Sequence, residues 1–445
     1  MGVTFRILFR LFRIVRFRHG YIALRRWVFP SLRSLSAWRK RLREGKLFPP
    51  FLFIALTDAC NLRCHGCWIH AKSKRQELSE PDVQRLIAHG RSQHVGFYTL
   101  LGGEPFLWLS KTSATNTDSA TFSATSSNLT TFSDVPSTMS ARTVTERATD
   151  GVTVEPSLFH ILRQNSDCYF QIITNGMFLT AENVRRLSDC GNVTPLVSID
   201  GFAELSDRRR GPNSFARAEA GCERLGDAGL LYGVATTITG ENLEEVLDDR
   251  YVQHWLRLKA GYLWYYIYRP VGDDPSPELA VPHEKMLKIR QHILELRRKH
   301  PIVIIDTYWN ARGEALCPAA LGMGFQINPN GAIGPCPPLA FAKETIYDHG
   351  GELVRTMDES QYLRDFSAFC TERTRGCVIL EYPQDLAAFL RQQRVSDATG
   401  RDAIGELERS EPRSSHHLPG EEIPEDLWFY KMMKNRMFFG LGAYG

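Results

Sequence analysis

Cys60, Cys64 and Cys67 fall within TDACNLRCHGCWIH, residues 57–70, directly behind the apolar run FLFIALT. Three thiols in eight positions suit neither a disulfide framework, which needs even numbers, nor the usual zinc site built from two ligand pairs. Thiolates also hold iron–sulfur clusters, and a complete cubane takes four of them. Three from one tight loop would leave one iron open to a small molecule that binds through an amine and a carboxylate. A second group lies far along the chain: Cys317 and Cys336 in CPAALGMGFQINPNGAIGPC, then Cys370 and Cys377 in FCTERTRGC. NPNG is a strong turn signal and predicts a hairpin around Gly331, while Gly376 lets the chain turn tightly beside Cys377. Cys168, Cys190 and Cys222 are scattered through a strand, a helix end and a helix, and read as core.

Positioning these thiols requires a large scaffold, and 445 residues allow two or three domains. Arginines interrupt every apolar run near the start, so no secretory signal is read. Reduced thiols in a cytoplasmic setting, available to metals, are therefore expected. No run of about 18 apolar residues predicts a membrane span. The formal charge of +4 conceals an imbalance: residues 1–47 hold thirteen Lys or Arg and one acid, Glu44, a surplus of 12 that leaves −8 for the remainder. Arg6, Arg10, Arg13 and Arg16 recur at helical spacing among Phe, Ile, Leu and Val. That pattern predicts a basic amphipathic segment at the periphery of a membrane surface; the plainer reading is a basic helix packed on its own domain. A mitochondrial presequence is a further reading. No recognition motif accompanies the charge, so nucleic acid is not expected as a partner.

From residue 51 onward, short apolar runs alternate with amphipathic stretches. The strand-like runs are 51–57, 96–102, 168–174, 194–200, 230–238 and 261–268. Continuous apolar strands separated by helices predict an α/β fold, a partial (β/α)6 barrel of parallel strands over 50–309. Functional residues should then gather behind the strands, at their C-terminal ends. Residues 110–149 interrupt the rhythm with twenty Ser or Thr in forty positions, too few apolar groups to offset ordering entropy, which predicts a disordered insertion. Turns, glycines and cysteines over 310–385 predict a small Cys-rich C-terminal domain, and 386–445 a polar tail in which His416 and His417 are solvated.

Further motifs follow the strand-like runs in order: Gly102, Gly103, Glu104 and Pro105 after the second, Thr174, Asn175 and Gly176 after the third, and Ser198, Ile199, Asp200 and Gly201 after the fourth. Each alone is a weak signal. Together with the three cysteines, over roughly residues 50–270, they resemble the radical S-adenosylmethionine (SAM) superfamily. The resemblance implies a site-differentiated 4Fe-4S cluster on Cys60, Cys64 and Cys67. It implies SAM held by the GGEP motif at its amino group, by Thr174, Asn175, Ser198 and Asp200 around ribose and carboxylate, and by Val234 or Thr236 at the adenine. The sequence departs from the family at Gly66, where an aromatic is commoner; Trp68 follows instead. The implied reaction is reductive SAM cleavage to a 5′-deoxyadenosyl radical that abstracts hydrogen from a substrate, fed by a reductant such as flavodoxin or ferredoxin. Residues 317–336 resemble the first half of a twitch or SPASM extension. This implies one auxiliary cluster on Cys317, Cys336 and Cys377 with Cys370 as a further candidate.

The substrate is less legible. Arg269, Asp306, Tyr308, Trp309 and Arg312 lie where a substrate should enter, although aromatics at strand spacing are also ordinary core. Class analogy points to a peptidyl substrate, with a small molecule as the alternative. Two other readings accompany the enzyme: an iron–sulfur binding or electron-transfer protein impaired by the insertion, and a zinc-stabilised interaction module.

Overall fold

The computed structural model describes residues 2–69, 75–109, 157–272, 275–397 and 402–436; the insertion expected at 110–149 lies outside them. Every strand-like run becomes a strand: β1 (Leu52–Thr57), β2 (Phe97–Gly102), β3 (Tyr169–Thr174), β4 (Val193–Ser198), β5 (Gly233–Ile238) and β6 (Tyr262–Ile267). They pair in parallel and in sequence order, with crossover helices between them. Strand residues are nearly all buried because helices cover one face and the barrel lumen closes the other.

Three further strands extend the six. β7 (Val303–Asp306) runs parallel beside β6. At the opposite edge β8 (Gln326–Ile327) pairs in parallel with β1, and β9 (Ile333–Gly334) returns antiparallel to it. The NPNG turn is formed between them, with Gly331 at φ +83° and its N–H donating to the Asn328 carbonyl at 2.9 Å. The hairpin of the cysteine-rich segment is thus part of the main sheet, and the order β7-β6-β5-β4-β3-β2-β1-β8-β9 leaves the barrel open.

The arginine-rich start folds across the N-terminal ends of the strands as helices Val3–Ile14, Phe17–Ala23 and Phe29–Arg43, joined through a π-helical turn. Most of its basic side chains are exposed, and some reach back along the surface to backbone carbonyls of the barrel. Arg10 donates to the carbonyls of Ala260 (2.8 Å) and Leu256 (3.1 Å), and Arg18 to those of Ser188 (2.9 Å) and Asp189 (2.8 Å). These carbonyls sit at helix C-termini, where orphan acceptors and the negative end of the macrodipole favour a guanidinium.

The expected polar tail is also docked. His416 is buried against Tyr308 and Trp309, with its Nε2 3.1 Å from the Leu316 carbonyl, so it is not solvated; His417 is half-buried. Helix Trp428–Arg436 packs on β7, where the Tyr430 hydroxyl accepts the Ile304 N–H at 3.0 Å. Beneath it Asp306 and Glu425 are buried with Arg290, Arg297 and Lys434. Asp306, Tyr308 and Trp309 therefore belong to the interior rather than to a substrate wall. Arg312 is exposed and pairs with Glu314 at 2.7 Å.

Candidate active site

The loop behind β1 carries Cys60, Cys64 and Cys67, all unbridged and partly accessible. Burial pushes the Cys60 thiol up to about 12, although the Leu62 N–H points at its Sγ from 3.4 Å. Burial also raises Cys67, with Cys64 adding to the rise and Arg209 and Arg210 opposing it. Among the described residues no three His, Cys, Asp or Glu side chains group as ligands of a single ion.

The motifs behind β2 and β3 lock onto this loop. Gly102 (φ +135°) and Gly103 lie so close to Thr57–Ala59 that a Cβ on either would overlap a backbone oxygen there. The Gly103 N–H donates to the Thr57 carbonyl at 2.7 Å, and the Glu104 N–H to that of Ala59 at 2.8 Å. The glycines are thus required by one loop's approach to another, not only by the approach of a ligand. Pro105 opens the short turn Pro105–Leu107. The Glu104 carboxylate is fully buried and accepts the Thr174 hydroxyl at 2.9 Å, the Asn175 N–H at 2.8 Å and the Phe106 N–H at 3.2 Å. Burial dominates these bonds and lifts it to about 7. Asn175 completes the chain, its Nδ2 donating to Asn61 Oδ1 at 2.8 Å with Cys60 Sγ 3.9 Å away.

Behind β4, Ser198 is half-buried at the strand end, and Asp200 accepts the Thr237 N–H at 2.7 Å. Arg209 and Arg210 both pair with the Asp200 carboxylate, the latter at 2.6 Å. Burial alone would raise Asp200; the two guanidinium groups hold it down to about 2. On β5 the two candidates for the adenine wall lie two residues apart and share one face of the strand. Val234 packs in the helix-side core, and the Thr236 hydroxyl donates to the Ile199 carbonyl and meets Tyr251, so both face the helices. The lumen side belongs to Ala235 instead.

At the end of β6 two consecutive residues reach both cysteine groups. Tyr268 packs over Gly66, where a side chain would overlap its ring, and Arg209 lies over the Tyr268 face at 5.7 Å. An aromatic is thus supplied to the loop from β6, which accounts for glycine at 66. Arg269 donates through Nε to Cys377 Sγ at 3.0 Å and stacks on Tyr308. Cys370, buried in helix Gln361–Arg373, hydrogen-bonds Cys317. That bond pulls Cys317 down to about 7 and raises Cys370. Burial raises Cys336, which also feels Cys317 and Cys377. Cys317 thus meets Cys370, Cys377 meets Arg269, and Cys336 lies within reach of the charges on Cys317 and Cys377.

The sequence reading passed over Asn61, Arg209, Arg210 and Tyr268. The run RRRG at 208–211, just behind SIDG, was the available signal for the arginines. Asn61 and Tyr268 had none beyond their position.

The family model of the radical SAM superfamily matches residues 54–250. An AdoMet-dependent heme synthase of Methanosarcina barkeri is 32% identical over 136 residues, 30% of this chain and 39% of that protein. The sporulation killing factor maturation protein SkfB of Bacillus subtilis is 28% identical over 201 residues, 44% of this chain and 37% of SkfB. The matched stretch thus spans about two fifths of each of these curated relatives. Among solved structures, Streptococcus suis SuiB bound to its precursor peptide SuiA aligns with a TM-score of 0.53 at 14% identity, covering 78% of this chain and 72% of that one. SuiB bound to S-adenosylmethionine aligns at 0.52, with 77% and 72% covered. Residues 54–250, the stretch that matches the radical SAM superfamily model, form most of the partial parallel barrel.

Proposed function

We propose that the chain is a radical SAM enzyme. Cys60, Cys64 and Cys67 would hold a 4Fe-4S cluster that leaves room for SAM, and Cys317, Cys336, Cys370 and Cys377 one auxiliary cluster. The donor set fits: three unbridged thiols in one loop beside two arginines, and four distal thiols of which Cys317 meets Cys370 and Cys377 meets Arg269. When bound, the reduced cluster and SAM supply an electron and a 5′-deoxyadenosyl radical for hydrogen abstraction.

The chain's own residues do the positioning. Arg209 and Arg210 offset thiolate charge at Cys67 and are held in place by Asp200. Glu104 keeps the ends of β2 and β3 in one arrangement, and Asn175 carries it to the cysteine loop. Tyr268 shields the loop over Gly66 from water. The observation that carries the reading is this unbroken hydrogen-bonded path from Glu104 through Asn175 to Asn61, beside Cys60.

A peptidyl substrate is supported by two relatives. SkfB is named a maturation protein, and the SuiB structure that shares the fold through most of this chain holds a precursor peptide. A flavodoxin or ferredoxin would supply electrons. Anaerobic reconstitution tests the proposal. The expected result is about eight irons per chain, a cluster spectrum that changes on adding SAM, and 5′-deoxyadenosine under a strong reductant. Replacing Cys60, Cys64 and Cys67 by Ala should halve the iron and abolish the nucleoside. Iron without any response to SAM would support an electron-transfer protein instead, and zinc without visible absorption an interaction module.

A further inference from the structure

The face of the barrel opposite the cysteines is apolar in an unusual way. The N-terminal helices expose large apolar side chains alongside most of their arginines. Ten of the thirteen large hydrophobic residues exposed among the described residues lie between Phe5 and Leu42. Phe12 is 76% exposed, Phe17 81% and Leu24 51%. Such a patch on a soluble surface marks a contact site.

Beneath the patch lies a cavity of about 550 Å³ in the barrel lumen. Phe12, Phe17 and Leu24 line it as well as being exposed, so they form its rim, while Phe53 and Trp264 line its wall. Its few polar groups are engaged with one another: the Gln171 Nε2 donates to the Tyr262 hydroxyl at 3.3 Å, which also meets Thr194 at 3.0 Å. The volume suits a small ligand, and beyond these groups the wall is largely apolar, with the buried Trp264 indole N–H left without a hydrogen-bond partner among the described residues. Charge selects the source. Ten of the thirteen basic residues in this segment are exposed, Arg13, Arg25, Arg33, Lys40 and Arg43 among them, and Glu44 is the segment's single acid. Bulky apolar groups within a ring of cations are complementary to an anionic bilayer. No helix among the described residues is long and apolar enough to cross one.

We propose that the N-terminal layer seats the protein on an anionic membrane surface and that the lumenal cavity takes one acyl chain of a lipid from it. The proposal is independent of the cysteine chemistry, since the site lies at the other end of the strands and its test needs no turnover.

Full-length protein would be sedimented with vesicles of phosphatidylcholine alone or mixed with phosphatidylglycerol. Binding is expected only to the mixed vesicles. It should weaken roughly tenfold or more for the triple variant Phe12→Glu, Phe17→Glu, Leu24→Glu and for Arg13→Gln, Arg25→Gln, Arg33→Gln. These positions are surface-exposed, and circular dichroism would verify folding. Phosphatidylglycerol brominated on its acyl chains should quench tryptophan fluorescence, and Trp264→Phe should lose much of that quenching. Equal binding to both vesicle types, or none, overturns the proposal. Vesicle binding without quenching overturns the cavity assignment. Binding that appears only after residues 437–445 are deleted makes the chain's own carboxyl end the occupant, and concentration-dependent dimerisation in place of binding makes it a second copy; either result overturns the lipid.

Discussion

Glu104 sits where two motifs meet, and its environment makes a pH prediction. Its folded value is raised to about 7 by burial, above the 4.5 of a free glutamate. The folded state therefore holds a proton that the unfolded state releases between those values. Stability attributable to this group is fully present below pH 4.5 and is lost as pH rises through 7, by about 3 kcal/mol at about 1.4 kcal/mol per unit. Urea denaturation of the metal-free protein should show that decline, and Glu104→Gln should flatten it. An unchanged slope would mean that the carboxylate is not the titrating group. At this scale the sequence was partly legible. The cysteines and GGEP announce themselves by type and spacing, whereas Glu104's commitment to Thr174 and Asn175 depends on two strand ends becoming neighbours.

For the elements, the six strands were readable because a buried parallel strand is an apolar run whatever its neighbours. The pairing of the 326–334 hairpin with β1 was not, since two-residue strands carry no periodicity and the contact joins residues more than 270 positions apart. The facing of the adenine candidates is hidden for a different reason. A strand's period of two makes the facing of Val234 and Thr236 hinge on a one-residue phase that an apolar run does not reveal. The junction of β1 and β2 yields a sharper test. Gly103→Ala would place a methyl on the Ala59 carbonyl, and Gly102→Ala would add strain at positive φ. Each should cost about 1–3 kcal/mol and lower iron retention by displacing the cysteine loop. Thermal melts of both variants, with iron counted after reconstitution, check this; full iron occupancy would show that the loop tolerates the shift.

Over the whole molecule, the chain's last described helix is fastened by a buried charge group that no local pattern announced. Asp306 lies on β7, Glu425 just before helix Trp428–Arg436, and Lys434 within it, so the cluster joins segments more than 100 residues apart. Glu425→Ala would leave Arg290, Arg297 and Lys434 with Asp306 as their shared carboxylate and should destabilise by about 3–5 kcal/mol. Lys434→Met removes the surplus cation of the group and should cost far less. Comparable losses in urea midpoints would refute this distribution of charge. The aromatic run LWFYKMMKNRMFFG reads as a short docking helix in the sequence, whereas the buried charges that fasten it find partners only in the assembled fold.

Tyr268 and Arg269 are joined by a single peptide bond, yet one rests on the first cysteine loop and the other on the distal thiols. The two thiol groups are therefore bridged by the end of one strand, β6, next to the sheet edge, rather than by the docking of two separate halves. With a cluster at each group, as proposed, electron transfer between them would cross this one strand end. A residue inserted between these two positions would break that relay while leaving each thiol group intact.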